Sequence, residues 1–375
     1  MTNVRFGIDM SLESYTSKKW ERYRDFMKGI NEDIWDSIWL GDHLGGIPPT
    51  SPYRNYNVWL IFPILAELKS KVHFGTAVTD PHRYLPQVMA QIVMTLDHIS
   101  NGRFIFGIGP GEAWNLDSYG IDKRKPVSKM KEFIMVLKTL WGAGGKKASF
   151  DGEFFKFKDA ILRPKIIQES IPIWIAANGP RTRKLTGEIA DGWIPYSFSP
   201  DTYKKEMEEV KDSLRTNNRN LEEFTFGYWN WIYINENETA LDGYTAEKKL
   251  TLALQHPYSL KHLGFWKEEK RDLYAKLGFN PDTLNPLKYN SIDNIDFNIV
   301  NQIVSDIPND FIRNSALMGT KEEIIKKLEN LIKAGVQNFV FMIDNDLKKK
   351  PKPFTWEHVF QILTDEIIPH LKENY

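Results

Sequence analysis

The chain has 375 residues, enough for one large α/β domain with insertions, and its 42% hydrophobic content suits a sizeable buried core. Lys plus Arg and Asp plus Glu each number 49, so bulk charge favours neither a nucleic acid nor an anionic membrane as partner, and the absence of cysteine excludes disulfides, thiolate metal sites and cysteine nucleophiles. The first residues, MTNVRFGIDM, lack the charged-then-apolar pattern of a signal peptide, and no run approaches the about 18 apolar residues of a spanning helix, which predicts a soluble cytoplasmic protein.

In chain order, VRFGID (4–9) predicts a strand and residues 16–30 a polar helix. SIWLGDH (37–43) is the second strand, followed by the Gly- and Pro-rich loop LGGIPPTSP and a helix around 59–68. VHFGTAVT (72–79) is the third strand, and its helix, 86–99, opens on Pro86 at a first-turn position that does not need its amide. A turn at Asn101-Gly102 leads into RFIFGIG, whose continuous apolar run predicts a strand buried on both faces, ending in a Gly-Pro-Gly loop and Glu112. After a helix over 127–141, SFDGEFFKF has the Asp-Gly turn of a small inserted hairpin.

PIWIAANGP (172–180), DGWIP (191–195) and FTFGYWNWIYI (224–234) supply three more strands, alternating with helices over RTRKLTGEIA, 200–215 and 245–254. Residues 256–315 lose this rhythm and form an insertion or lid, because long structureless loops are otherwise uncommon. Thr320 and Glu323 are spaced as a capping box for a helix reaching Ala334, then VQNFVFMI gives the eighth strand and 356–371 the last helix. Eight apolar strands in one β/α alternation predict a single (β/α)8 TIM barrel over 1–375, with a doubly wound sheet as the structural alternative.

In a barrel the polar residues at the strand exits converge: Asp9, Asp42, His43, Thr79, Asp80, Glu112, Asn178, Tyr196 and Asp344. His43 is a general base or a loop cap, and Glu112 is a proton donor if a pocket raises its pKa or an acceptor of loop amides. Asp42 suits an orienting role, and no close ligand pair supports a metal. Asn178-Gly179-Pro180 opens a helix whose amides, with Arg181 and Arg183, suit a phosphate; the other reading is an ordinary strand-to-helix turn. Tryptophans 39, 114, 193, 229, 231 and 266 either wall a flat cofactor or, for most of them, fill the core.

Taken together, WLGDH (39–43), GTAVTDPHRYLP (75–86), LDHISNGRFIFGIGPGEAWN (96–115), IAANGP with ADGW (190–193), LMGTKEEIIKKL and AGVQNFV resemble the bacterial-luciferase-like barrel enzymes, spanning nearly the whole chain in order. GEAWN with GDH points within them to the branch dependent on the deazaflavin coenzyme F420, near the F420-dependent glucose-6-phosphate dehydrogenase and related diketoreductases. The resemblance implies a homodimeric barrel with the deazaflavin in its mouth. It implies a non-prolyl cis peptide in a bulge at Thr76, Ala77 and Val78 supporting the ring. Asp42, Thr79 and Asn115 match residues that contact the cofactor, Ala177, Asn178, Gly179 and Pro180 match its phosphate loop, and His43 and Glu112 match the dehydrogenase's base and acid.

The implied reaction is hydride transfer between an alcohol or ketone and the deazaflavin, with proton transfers at His43 and Glu112. Two departures argue against a sugar phosphate: Ser197, Phe198, Ser199 and Pro200 stand where the glucose-6-phosphate enzyme has a lysine, and Ile47 replaces an aromatic. They point to an uncharged or apolar substrate, gripped by Tyr258, Phe265 and Trp266 of the insertion. The alternatives are an FMN-dependent monooxygenase on the same barrel, and a non-catalytic flavin-binding paralogue, against which both His43 and Glu112 speak.

Overall fold

The computed structural model describes residues 4–10, 17–44, 56–196, 199–255, 260, 263–279, 296–343 and 356–375. The first half runs β1 (Arg5–Asp9), α1 (Ser17–Gly29), β2 (Ser37–Leu40), α2 (Val58–Leu68), β3 (His73–Thr76), α3 (Pro86–Ser100), β4 (Phe104–Ile108), α4 (Ala113–Leu116) and α5 (Pro126–Gly142). A hairpin of β5 (Lys147–Asp151) and β6 (Lys156–Ile161) interrupts the alternation before β7 (Ile173–Ile175), α6 (Pro180–Ile189), β8 (Gly192–Trp193), α7 (Pro200–Thr216), β9 (Thr225–Ile234) and α8 (Glu238–Gln255). The short helices α9 (Arg271–Lys276), α10 (Phe297–Val304) and α11 (Asn309–Ser315) follow, then β10 (Leu317–Gly319), α12 (Lys321–Ala334), β11 (Asn338–Ile343) and the final helices α13 (Trp356–Ile362) and α14 (Ile368–Asn374), joined by a π-helical turn.

Local chemistry sets several boundaries. Pro86 opens α3, and Asn101 ends it in the left-handed region at φ 53° with its amide donating to the Asp97 and His98 carbonyls. Thr320 and Glu323 form the reciprocal capping box of α12, which stops at Gly335 with φ 110°. The β5–β6 hairpin turns through residues 152–155, where the Glu132 carboxylate of α5 accepts the Glu153 and Phe154 amides at 2.8 Å each.

The eight predicted strands pair in parallel in the order β1-β2-β3-β4-β7-β8-β9-β11, and β11 returns to β1, which closes the (β/α)8 barrel. β10 is a further parallel strand, three residues long, that takes the β9 edge beyond the end of β8. It went unread because three residues carry no period. The same reason hides the helices of the insertion: α9, α10 and α11 have only 6, 8 and 7 residues. They bury their apolar faces in a second cluster, distinct from the main core, that includes Tyr233 of β9, Tyr244 and Leu252 of α8, Val300, Ile312 and Met318. None of the described helices is long and apolar enough to cross a membrane.

The barrel lumen is filled by two tryptophans. Trp39 of β2 and Trp174 of β7 meet with ring centroids 5.0 Å apart, packed with Ile105, Ile194 and Val340. Neighbouring strands make room by having no side chain: a Cβ on Gly7 would lie 2.8 Å from Trp39 Nε1, and one on Gly192 2.6 Å from the Trp174 ring. With the lumen plugged, a ligand has space only above the tryptophans, at the C-terminal mouth. Gly192→Val is expected to overpack this plug and lower stability by about 1–3 kcal/mol in urea titration; wild-type stability in that variant would show that the lumen accommodates the extra volume.

Candidate active site

Three successive strand exits build the site, and backbone packing fixes their positions. Thr76 Oγ1 donates to the Gly107 carbonyl at 2.6 Å and accepts the Gly107 amide at 3.0 Å, so its side chain locks β3 to β4. A Cβ on residue 107 would lie 1.8 Å from the Thr76 carbonyl oxygen, which only glycine avoids. Immediately beyond, the Ala77–Val78 peptide bond is cis, at the bulge that the family resemblance implied. Thr79 then rejoins the sheet, its amide donating to the Gly107 carbonyl and its own carbonyl accepting from Gly109.

The loop after β3 carries a buried charge network. The Arg83 guanidinium lies between Asp42 and Asp80, with the side chains of all three no more than 5% exposed. It donates to Asp42 Oδ1 at 3.1 Å and to Asp80 Oδ2 at 2.5 Å, and it also binds the Asp42 carbonyl. Thr79 Oγ1 donates to Asp42 Oδ2 at 2.6 Å and the Tyr84 hydroxyl to Asp42 Oδ1 at 3.2 Å. Burial by itself would lower the Arg83 pKa, but Asp42 and Asp80 outweigh it and hold the guanidinium above its ordinary value. Burial, with Asp42 beside it, raises the Tyr84 phenol. Arg83 was not singled out from the sequence; its pairing with Asp80 is local, but its second partner, Asp42, is 41 residues away.

This network anchors the exit of β2, and His43 and Glu112 face each other beside it, with His43 Nδ1 3.9 Å from Glu112 Oε2. That separation exceeds a hydrogen bond. Burial lowers the His43 pKa to about 4; Asp42 and Asp80 oppose the shift and Arg83 adds to it. Burial by the walls of the mouth, helped by Asp80 and opposed by Arg83, raises the Glu112 pKa to about 7. The Glu112 side chain keeps 51% of its surface open to the mouth, so water there tempers the shift until a ligand displaces it. Between these two values the proton resides on Glu112 and the imidazole is neutral, the reverse of their order in free solution.

Other predicted residues are placed as follows. Asn115 is buried and its Oδ1 accepts the Leu44 amide at 2.8 Å, tying the β4 exit to the β2 exit. The Ala177 carbonyl accepts from Trp193 Nε1 at 2.9 Å, and Asn178 Oδ1 accepts the Tyr196 amide at 3.0 Å. Gly179 is the N-cap of α6, with Pro180 in its first turn. Arg183 departs from the phosphate-binding expectation: it is buried and engaged by Glu206 at 3.0 Å, Glu209 at 2.8 Å and the Asn178 carbonyl at 2.6 Å, so it holds the loop from behind while Arg181 is exposed. Burial raises the Glu206 pKa to about 7, against the pull of Arg183.

Among the tryptophans, Trp39 lies in the lumen and Trp193 in the outer core, whereas Trp229 reaches the mouth, donates to Asp9 Oδ2 at 2.8 Å and meets Tyr196 edge-on. Phe265 and Trp266 pack inside the insertion, against Phe311 and Tyr274, which makes them part of its core. Ile47, Ser197, Phe198, Tyr258, Asp344 and the side chain of Trp114 lie outside the described residues. Among the described residues no group of three or more His, Cys, Asp or Glu is arranged to hold a metal ion.

Comparison with known proteins agrees with this architecture. The chain is 27% identical over 375 residues to the 5,10-methylenetetrahydromethanopterin reductase of Archaeoglobus fulgidus, covering 98% of this chain and 100% of that protein. It is 34% identical over 197 residues to the phthiodiolone/phenolphthiodiolone dimycocerosates ketoreductase of Mycobacterium tuberculosis, covering 48% of this chain and 52% of that one. The coenzyme F420 dependent tetrahydromethanopterin reductase of Methanopyrus kandleri has the same fold, with a TM-score of 0.71 at 22% identity over 98% of this chain and 99% of the other. An F420-dependent secondary alcohol dehydrogenase in complex with an F420-acetone adduct also has it, with a TM-score of 0.68 at 21% identity over 91% and 93% of the two chains. The profile of the luciferase-like monooxygenases matches residues 4–338, and the chain belongs to that family.

Proposed function

We propose that this protein is a coenzyme F420-dependent oxidoreductase that moves a hydride between a secondary alcohol or ketone and the deazaflavin. The observation that carries the reading is the His43–Glu112 pair, 3.9 Å apart at the mouth of a luciferase-like barrel, with its protons in the order that oxidation of an alcohol requires. Full-length similarity to the Archaeoglobus reductase supports it.

The residues present fit such a cofactor. The bulge at Thr76, Ala77 and Val78 projects beside β4, where the absence of a Cβ at Gly107 lets it approach closely, and would support a flat ring. Asp42, Thr79 and Asn115 would border its head and ribityl chain, with Asp42 and Thr79 fixed in place by Arg83, Tyr84 and each other, and Ala177, Asn178, Gly179 and Pro180 would take its phosphate at the start of α6. When bound, coenzyme F420 supplies a two-electron hydride acceptor or donor. His43, neutral above about pH 4, accepts the substrate hydroxyl proton at a ring nitrogen, and Glu112 holds a proton on its carboxyl to donate. Arg83 fixes Asp42, and with it the chain that presents His43. The described helices within the 256–315 insertion share a core with Tyr233 of β9 and Tyr244 of α8, which suits a lid on the β9 side.

Alcohol oxidation, followed by the loss of F420 absorbance, is expected to rise through about pH 4 as His43 loses its proton and to fall through about pH 7 as Glu112 loses its own. A profile flat across both limbs would contradict these protonation states. His43→Ala and Glu112→Gln are each expected to lower kcat/KM by about 100- to 10,000-fold while F420 affinity is kept. Tight FMN binding with oxygen consumption in the wild type would replace the proposal with a monooxygenase.

The outer surface of α2 and α3 supports a homodimer. Leu60 is 72% exposed, Leu85 65% and Val88 49% on neighbouring helices, an apolar patch suited to a second copy. Sedimentation velocity is expected to find a dimer in the wild type and a monomer in the double variant Leu60→Glu, Leu85→Glu; a monomeric wild type would refute the assignment.

A further inference from the structure

Glu112 stands on a loop, and the loop sets where its carboxyl sits, because His43 Nδ1 at 3.9 Å is beyond hydrogen-bond reach. The loop leaves β4 where Gly109 donates its amide to the Thr79 carbonyl at 2.8 Å, passes Pro110 and bends at Gly111, with φ 90°. Against this bend lies the ring of His82, from the loop after β3. A Cβ on residue 111 would lie 2.9 Å from His82 Cδ2, so bend and ring are in close contact.

Both ring nitrogens of His82 face backbone carbonyls. Nε2 is 3.0 Å from the Pro110 oxygen, just before Glu112, and Nδ1 is 3.0 Å from the Asp122 oxygen, in the segment between α4 and α5. One side chain therefore holds the chain on both sides of Glu112. A neutral imidazole has one N–H and one lone pair, and that lone pair repels a carbonyl oxygen; only the imidazolium donates to both carbonyls. A ring that served packing alone would need neither donor.

The His82 backbone is itself fixed, since Asp80 Oδ1 accepts its amide at 2.8 Å. Burial lowers the His82 pKa and Lys129 of α5 adds to the shift, against the Pro110 and Asp122 carbonyls and the Asp80 carboxylate. The other charged groups nearby have their own partners: Arg83 is paired with Asp42 and Asp80, and the Asp122 carboxylate accepts from Arg124 at 2.8 Å. The double grip thus forms in mild acid, where Glu112 also holds its proton, and above that range the ring keeps one of its two bonds.

We infer that His82 is a positioning residue for the proton transfer: by holding the Pro110 and Asp122 carbonyls it keeps Glu112 at the mouth, facing His43. This rests on the hydride-transfer reading for the task Glu112 performs. It extends the Asp42–Arg83–Asp80 network to a third strand exit, because Asp80 holds the His82 backbone and the His82 ring holds the loop after β4.

The test compares His82→Phe, which keeps a ring against Gly111 and has no donor, with His82→Gln, which keeps a donor toward Pro110. In cofactor-free protein carrying glutamate labelled with carbon-13 at its carboxyl, Glu112 is titrated by NMR, its resonance identified by its loss in Glu112→Gln. The wild type is expected to titrate at about pH 7. In His82→Phe the loosened loop admits water and the midpoint falls by about one pH unit, of which His82→Gln restores about half. An unchanged midpoint in His82→Phe, or an equal fall in both variants, overturns the inference. A second measurement needs no substitution at 82: nitrogen-15 spectra of the wild type are expected to show the His82 ring taking its second proton below the ordinary histidine range, and a ring that stays singly protonated wherever the protein is folded also overturns it. With F420, His82→Phe is expected to lower kcat for alcohol oxidation by about 10- to 100-fold with KM within about twofold, and an unchanged kcat overturns the inference as well. A Glu112 midpoint that follows residue 82 in a protein that transfers no hydride to F420 refutes the cofactor reading alone, whereas hydride transfer with a midpoint indifferent to residue 82 refutes the role of His82 alone.

Discussion

Arg83 carries a full charge into a part of the molecule that water hardly reaches, and it is tolerated there because two carboxylates and a carbonyl receive it. An unpaired guanidinium or an unpaired Asp42 at that depth would cost several kcal/mol, so the three groups must stay together or be lost together. Because Asp42 ends one strand exit and Asp80 with Arg83 follows the next, this requirement becomes a geometric one: the β2 exit cannot move without the loop after β3. His43 is the residue after Asp42, and it inherits that rigidity. Asn115 adds a second tether by accepting the Leu44 amide, so the chain on either side of His43 is fixed.

The same network sets the electrostatic conditions for the pair it positions. Burial drives both His43 and Glu112 toward their neutral forms, which for a base and an acid means opposite directions in pKa. The anions and the cation of the network oppose one another at each site, so burial decides the order of protonation. A site built this way needs no metal to hold an acceptor and a donor side by side. It also responds to filling, since a ligand that displaces water from the mouth strengthens the shift at the half-open Glu112.

β9 links the lumen to the insertion. At its lower end it leaves space for Trp174, at mid-height Trp229 reaches past β11 to Asp9 of β1, and beyond them Tyr233 becomes part of the insertion's own core. One ten-residue strand therefore supplies the floor, one wall and the base of the roof. α8 packs back over this extended strand, stacking Tyr244 on Tyr233.

Much of the fold was legible in the chain because its determinants are local. Eight apolar runs, each ended by turn residues, gave the barrel, and Pro86, Asn101 and the Thr320–Glu323 box marked helix ends through chemistry within a few residues. The strand-exit residues His43 and Glu112 were identifiable as neighbours because a closed parallel barrel brings all such exits to one face. What only the tertiary structure decided was non-local. Arg83 finds Asp42 across 41 residues, Arg183 is committed to Glu206 and Glu209 on another helix, and the short helices of the insertion gain order from a shared cluster instead of from periodicity. Protonation order belongs to the same class: a pKa depends on the burial and charges that distant segments bring together, so the sequence by itself determined which ionisable groups reach the mouth, and packing decided which of them holds the proton.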